Sequence, residues 1–115
     1  MSKTDVVRIG IVGASFAGSF HADIWKETPG ARVIAVAEKD EERRNGFAAR
    51  YQLDRKREDY RSLLEDPEVD LIDICLPNFL HAGVATAALE AGKHVVCEKP
   101  VATRMDEAEK LVSMA

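Results

Sequence analysis

Hydrophobic and polar positions fall into short blocks that change period along this chain. Val6-Val7-Arg8-Ile9-Gly10-Ile11-Val12 is a β-branched run that predicts a strand. Gly13 ends it, and Phe16, Phe20 and Ile24 then recur every four residues, the period of a helix face. Thr28-Pro29-Gly30 stops that helix, and Ala31-Arg32-Val33-Ile34-Ala35-Val36-Ala37 reads as a second strand. Asp40-Glu41-Glu42 is the acidic first turn expected of the next helix, which carries Phe47, Ala48 and Tyr51 inward. From Gln52 to Pro67 the chain is charged, with room for a very short edge strand near Arg55-Lys56-Arg57 and a helical turn holding Tyr60, Leu63 and Leu64.

The second half repeats the alternation. Val69 to Leu76 is strand-like up to Pro77; Leu80, Val84, Ala87, Ala88 and Ala91 line one helix face; Gly92 is placed as the C-terminal cap. His94-Val95-Val96-Cys97 predicts another strand. Thr103-x-x-Asp106 is a capping box, and Ala108, Leu111, Val112 and Ala115 follow helical spacing in a closing helix. Strands separated by whole helices cannot form tight hairpins, so they pair in parallel through right-handed crossovers. The expected fold is a doubly wound α/β sheet of the Rossmann type. No repeat, low-complexity tract or linker divides it, so residues 1–115 read as one dinucleotide-binding domain.

Composition narrows the class without naming a function. The 115 residues are 46% hydrophobic and 31% charged, as in an ordinary soluble domain that buries roughly two thirds of its unfolded surface. A net charge of -4 argues against nucleic acid as a partner. No apolar run reaches the roughly 18 residues of a membrane span, and Met1-Ser2-Lys3-Thr4-Asp5 leads into a strand without a signal-peptide core; a cytoplasmic protein is expected. Cys75 and Cys97 lack C-x-x-C spacing and read as buried reduced thiols, and His21, His81 and His94 lack ligand spacing, so no metal is expected.

Candidate chemistry begins at the first turn. Gly13-Ala14-Ser15-Phe16-Ala17-Gly18 matches the dinucleotide fingerprint G-x-G-x-x-G at its first and third glycines, with Ser15 in the middle place. Gly13 allows the tight turn and Gly18 the close approach of helix to sheet. Ser15 puts a Cβ where a pyrophosphate would pass, although its hydroxyl and the helix N-terminal amides can donate to phosphate. Glu38 closes the second strand 20 residues after Gly18, where a carboxylate accepts from the adenosine ribose hydroxyls. Residues 39–44 read as a solvated helix start, although Lys39 and Arg43 stand close enough to reach toward a 2′-phosphate.

Three later blocks, Leu76-Pro77-Asn78-Phe79-Leu80-His81, Ala88-Leu89-Glu90-Ala91-Gly92-Lys93-His94-Val95 and Cys97-Glu98-Lys99-Pro100, occur in the order found in the glucose-fructose oxidoreductase and inositol dehydrogenase family, Gfo/Idh/MocA, which the chain resembles from Arg8 to Ala115. The resemblance implies NAD(P)-dependent oxidation of a sugar, cyclitol or related polyol, or the reverse reduction; separately, the β-branched run His94-Val95-Val96-Cys97, left as an open strand edge, leads to the expectation of a homo-oligomer. The resemblance assigns Gly13, Ser15, Phe16, Ala17 and Gly18 to the pyrophosphate turn, and Glu38 with Lys39 to the ribose end. Leu76, Pro77, Asn78 and His81 match the segment leading toward the nicotinamide, and Glu98, Lys99 and Pro100 the family's signature. Lys99 is the implied catalytic residue, a cation beside the reacting hydroxyl. His21 matches a histidine of the family's first helix, with a packing or capping role expected. Glu38 favours NAD over NADP. Family members carry a second domain that holds the substrate and the catalytic histidine and aspartate, so the chain is expected to be either a fragment of such a dehydrogenase, cut before the last strand of its nucleotide-binding sheet, or a self-standing dinucleotide binder or sensor. A third reading, an interaction domain in which Ser15 has abolished cofactor binding, is excluded by any stoichiometric NAD(H) binding.

Overall fold

The computed structural model describes residues 6–76 and 78–97, with residues 78–81 and 97 described by their place in the backbone alone. Its elements are β1 (Val7–Val12), α1 (Phe16–Lys26), β2 (Ala31–Ala37), α2 (Glu41–Tyr51), β3 (Arg55–Arg57), α3 (Arg61–Leu64), β4 (Leu71–Ile74), α4 (Asn78–Glu90) and β5 (His94–Cys97). The strands form one sheet in the order β3-β2-β1-β4-β5, and every pairing is parallel. This is the Rossmann-like α/β architecture that the alternating periods predict. The direction of winding reverses at β1, whose neighbours are β2 and β4, and open α/β sheets leave a ligand crevice beyond the strand C-termini at that point.

Each face of the sheet has its own core. On one face Ile9, Ile11 and Val36 meet Ala22 of α1 and Phe47 and Ala48 of α2; on the other Ala35, Ala37, Ile72 and Ile74 meet Leu63 of α3 and Val84, Ala85 and Ala88 of α4. The short edge strand at Arg55–Arg57 and the helical turn after Tyr60 both form as the sequence predicts. The predicted closing helix from Thr103 to Ala115 lies outside the described residues.

Two helix faces depart from the sequence pattern. The spacing of Phe16, Phe20 and Ile24 predicts α1 correctly, yet these side chains are 87%, 53% and 50% exposed. The buried residues of α1 are Gly18 and Ala22, because the helix lies so close to β1 that only small side chains fit beneath it. In α4, Val84 and Ala88 face inward as expected; Ala85 joins them, whereas Ala91 is exposed in the turn that follows. Gly92, with φ of 82°, closes that turn by donating its amide to the Leu89 carbonyl at 3.0 Å.

Polar contacts tie the strand entrances together. The Arg8 guanidinium and amide both bond Asp70, with Nε to Oδ2 at 3.1 Å, and Arg8 also pairs with Glu68. The Arg8 hydrogen bonds hold the Asp70 carboxyl below its ordinary value of 3.8. Tyr51 at the end of α2 donates to Asp23 of α1 at 2.8 Å, and burial first, then that carboxylate, pushes its phenol above 10.0.

Candidate functional site

The site is built at the C-terminal ends of β1 and β2. Gly13 leaves β1 with φ of 102°, and a Cβ there would lie 2.7 Å from the Cys75 carbonyl oxygen. Gly18, one turn into α1, has still less room: a Cβ would sit 2.2 Å from the Gly13 oxygen. The two glycines thus do what the fingerprint requires of its first and third places, one turning the chain and the other letting the helix touch the strand.

The start of α1 is open to a ligand. Ser15 is its N-cap but makes no side-chain capping bond; its hydroxyl reaches the Cys75 carbonyl oxygen at 3.4 Å. No acidic residue stands in the first turn. The amide groups of that turn carry the positive end of the helix dipole with no side-chain cap and no acidic residue of the helix itself, a setting that favours an anion. Phe16 is exposed at the mouth and Ala17 packs against the sheet.

Glu38 follows β2 and is fixed on both sides. Its Oε1 accepts from the Ala14 amide and its Oε2 from the Asp40 amide, each at 2.9 Å. Arg44 donates to its carbonyl oxygen at 2.9 Å and its own amide donates to Arg57 of β3. A carboxylate has about four acceptor positions, so two remain for hydroxyls. Beside it lies a pocket of about 190 Å³ lined by Gly13, Glu38, Lys39, Glu58, Tyr60 and Leu76, together with Val12, Ala37 and Val84. The sequence marks Tyr60 and Val84 only as packing positions and Glu58 not at all; no motif ties them to a site, and only the turn after β3 and the packing of α4 bring them to Glu38.

Leu76 lines this pocket, and Asn78 and His81 stand in the first turn of α4. Pro77, Glu98, Lys99 and Pro100 lie outside the described residues. His21 is placed one turn below the glycine turn, and here the sequence reading is revised. Linear spacing gave His21 no ligand-type neighbour, yet its Nδ1 lies 2.9 Å from both carboxylate oxygens of Asp73 and 3.4 Å from Cys75 Sγ. Trp25 Nε1 donates to the same Asp73 at 2.7 Å. Cys75 is buried, as expected.

A parallel sheet with its switch point at β1, a turn that admits only glycine, an uncapped helix start and a pinned acidic residue after β2 together define a dinucleotide-binding Rossmann domain. Residues 7–115 match the oxidoreductase family with an NAD-binding Rossmann fold, GFO_IDH_MocA, and the chain belongs to that family. It is 34% identical to levoglucosan dehydrogenase of Pseudarthrobacter phenanthrenivorans over 113 residues, 91% of this chain and 29% of that one. Among solved structures it resembles biliverdin reductase from Synechocystis in complex with biliverdin and NADP+, at 35% identity and a TM-score of 0.88 over 95% of this chain and 34% of that one. It also resembles the 3-ketoreductase KijD10 from Actinomadura kijaniata in complex with NADP, at 34% identity and a TM-score of 0.89 over 96% of this chain and 36% of that one. The chain therefore spans about a third of the length of these relatives.

Proposed function

We propose that these residues are the cofactor half of a nicotinamide-dependent oxidoreductase acting on the CH–OH group of a sugar, cyclitol or related polyol, with the substrate half supplied elsewhere in the parent chain. The observation that carries this reading is the pairing of an unanswered helix N-terminus at the Gly13–Gly18 turn with the pinned Glu38 carboxylate, which suits a pyrophosphate and an adenosine ribose side by side. The first-turn amides and the Ser15 hydroxyl hold phosphate oxygens, Glu38 accepts the ribose hydroxyls, and Tyr60, Leu76 and Val84 wall the adenine. When bound, the nicotinamide ring exchanges a hydride with the substrate carbon. Lys99 is assigned by family resemblance as the cation that stabilises developing alkoxide there. Asn78 and His81, at the start of α4, stand on the path toward the nicotinamide.

The polyol class draws support from levoglucosan dehydrogenase, whereas the reductase crystallised with biliverdin marks how widely this cofactor half is shared. No helix among the described residues is long and apolar enough to cross a membrane.

Glu38 stands where a 2′-phosphate would lie, so NAD is preferred over NADP. Titrating the 115-residue chain with NADH and with NADPH should give tighter NADH binding; the reverse order would overturn the role of Glu38, and binding of neither would overturn the cofactor reading. The parent protein should then oxidise at least one of a panel of sugars, cyclitols and polyols with NAD+. A parent that binds NADH but oxidises none of them would be a dinucleotide sensor instead.

A further inference from the structure

Asp73 is the one charged side chain that is buried among the described residues, at 0% exposure. It lies mid-strand on β4, in register with Ile11 of β1 and Val96 of β5, on the face covered by α1. Holding a carboxylate away from water costs several kcal/mol unless donors surround it. The Cys75 thiol donates weakly at 3.7 Å, and the two nitrogen donors come from α1: His21 Nδ1 at 2.9 Å and Trp25 Nε1 at 2.7 Å. They are four residues apart, so they project from one flank of the helix.

What normally fixes the rotation of a helix on a sheet is its apolar stripe, and in α1 that stripe works in the opposite sense. Phe16, Phe20 and Ile24 point to solvent, although turning them inward would bury apolar surface. Gly18 opposes such a turn through its close contact with the Gly13 carbonyl, while Ala22 adds only a small contact surface. A rotation by one residue, about 100°, would carry His21 and Trp25 off the carboxylate together and leave Asp73 buried without them. The cost of leaving a buried carboxylate without its strongest donors adds to the resistance to that rotation.

We propose that His21, Asp73 and Trp25 form a polar clamp that sets the rotation of α1 on the sheet and thereby aims the amides of its first turn at the dinucleotide pyrophosphate. The inference rests on the reading of the Gly13–Gly18 turn as the pyrophosphate seat. Cys75 links the two levels: its Sγ lies 3.4 Å from His21 Nδ1, and its carbonyl oxygen receives the Ser15 hydroxyl at the turn itself. His21 and Asp73 are positioning residues, since neither touches the pocket beside Glu38.

The test separates phosphate recognition from adenosine recognition. ADP and adenosine are titrated by NMR into the 115-residue chain and its variants; ADP uses the first-turn amides, and adenosine uses only the pocket beside Glu38. His21→Ala should lower the ratio of ADP to adenosine affinity about tenfold, while His21→Asn, whose amide nitrogen takes the place of Nδ1, should stay within about twofold of the unmodified chain. Should His21→Ala fail to fold, His21→Leu/Asp73→Leu removes the buried charge altogether, and buried ion pairs replaced by apolar residues commonly keep their fold. Its ratio should fall likewise. An unchanged ratio in a folded His21→Ala or double variant overturns the clamp alone. If the unmodified chain fails to prefer ADP over adenosine, the pyrophosphate reading falls and the clamp with it. A cobalt(II) titration adds an independent check, because His21, Asp73 and Cys75 offer ligand atoms within 4.8 Å of one another: a thiolate-to-cobalt absorption band at micromolar metal would make them ligands and overturn the clamp.

Discussion

Helices α1 and α2 have the same length, lie side by side on one face of the sheet and touch through Tyr51 and Asp23, yet they are held by different means. The N-terminus of α2 is closed by the protein: Asp40 caps it by accepting from the Arg43 amide at 2.9 Å, and Glu41 and Glu42 stand in its first turn. The N-terminus of α1 has no side-chain cap and no acidic residue. Phe47 of α2 is 5% exposed, whereas Phe20 of α1 is 53% exposed. One helix is placed by burial and satisfies its own end; the other is placed by backbone contact and a polar clamp and keeps its end for a ligand. A single face of the sheet thus contains a helix that stabilises and a helix that binds.

The contrast can be broken most severely at its glycines. Gly18→Ala puts a Cβ against the Gly13 carbonyl and should cost more than about 4 kcal/mol, with loss of ADP binding, whereas Gly46→Ala in α2 meets nothing within 4 Å and should stabilise by up to about 1 kcal/mol. Thermal melting of both variants checks this, and equal effects would mean that α1 does not press on β1. The aromatic pair comes next. Phe47→Ala should destabilise by about 3 kcal/mol and Phe20→Ala by no more than about 0.5 kcal/mol, measured by urea unfolding; comparable losses would show that the stripe of α1 is covered after all. The smallest effect lies at the caps. Asp40→Ala should cost about 1 kcal/mol, while Ser15→Ala should change stability by only a few tenths and weaken ADP binding instead.

How far the sequence carried the description differs between these same helices. Strand and helix order, the edge strand at Arg55–Arg57 and the inward set Phe47 and Ala48 follow from periodicity, because each depends on neighbours a few residues away, and the parallel pairing follows from the helices that separate the strands. The turn from Gly13 to Gly18 and the place of Glu38 at the end of β2 were legible for a related reason: the chain can make that turn only with glycine at Gly13, and the spacing to Glu38 is the length of one helix and one strand. Phe16, Phe20 and Ile24 mark the limit of periodicity, which reports that a stripe exists and not which side the sheet lies on.

What only the tertiary structure decided involves residues far apart in sequence. Asp73 meets His21 across 52 positions and Trp25 across 48, and nothing local distinguishes this aspartate from Asp70, which sits three residues earlier and pairs with Arg8 at the rim. Their different surroundings follow from the pleat and the extent of cover: Asp73 falls under α1 in mid-strand, while Asp70 lies before β4 begins. Likewise Tyr60, in the turn after β3, and Val84, in α4 after β4, reach the Glu38 pocket only because their segments approach the switch point at β1 from opposite sides of the sheet order. The sequence by itself determined the elements, their winding and the glycine turn, since these depend on local spacing and backbone sterics. The three-dimensional packing decided which polar groups are buried together, because desolvation acts on neighbours in space and carries no signature along the chain.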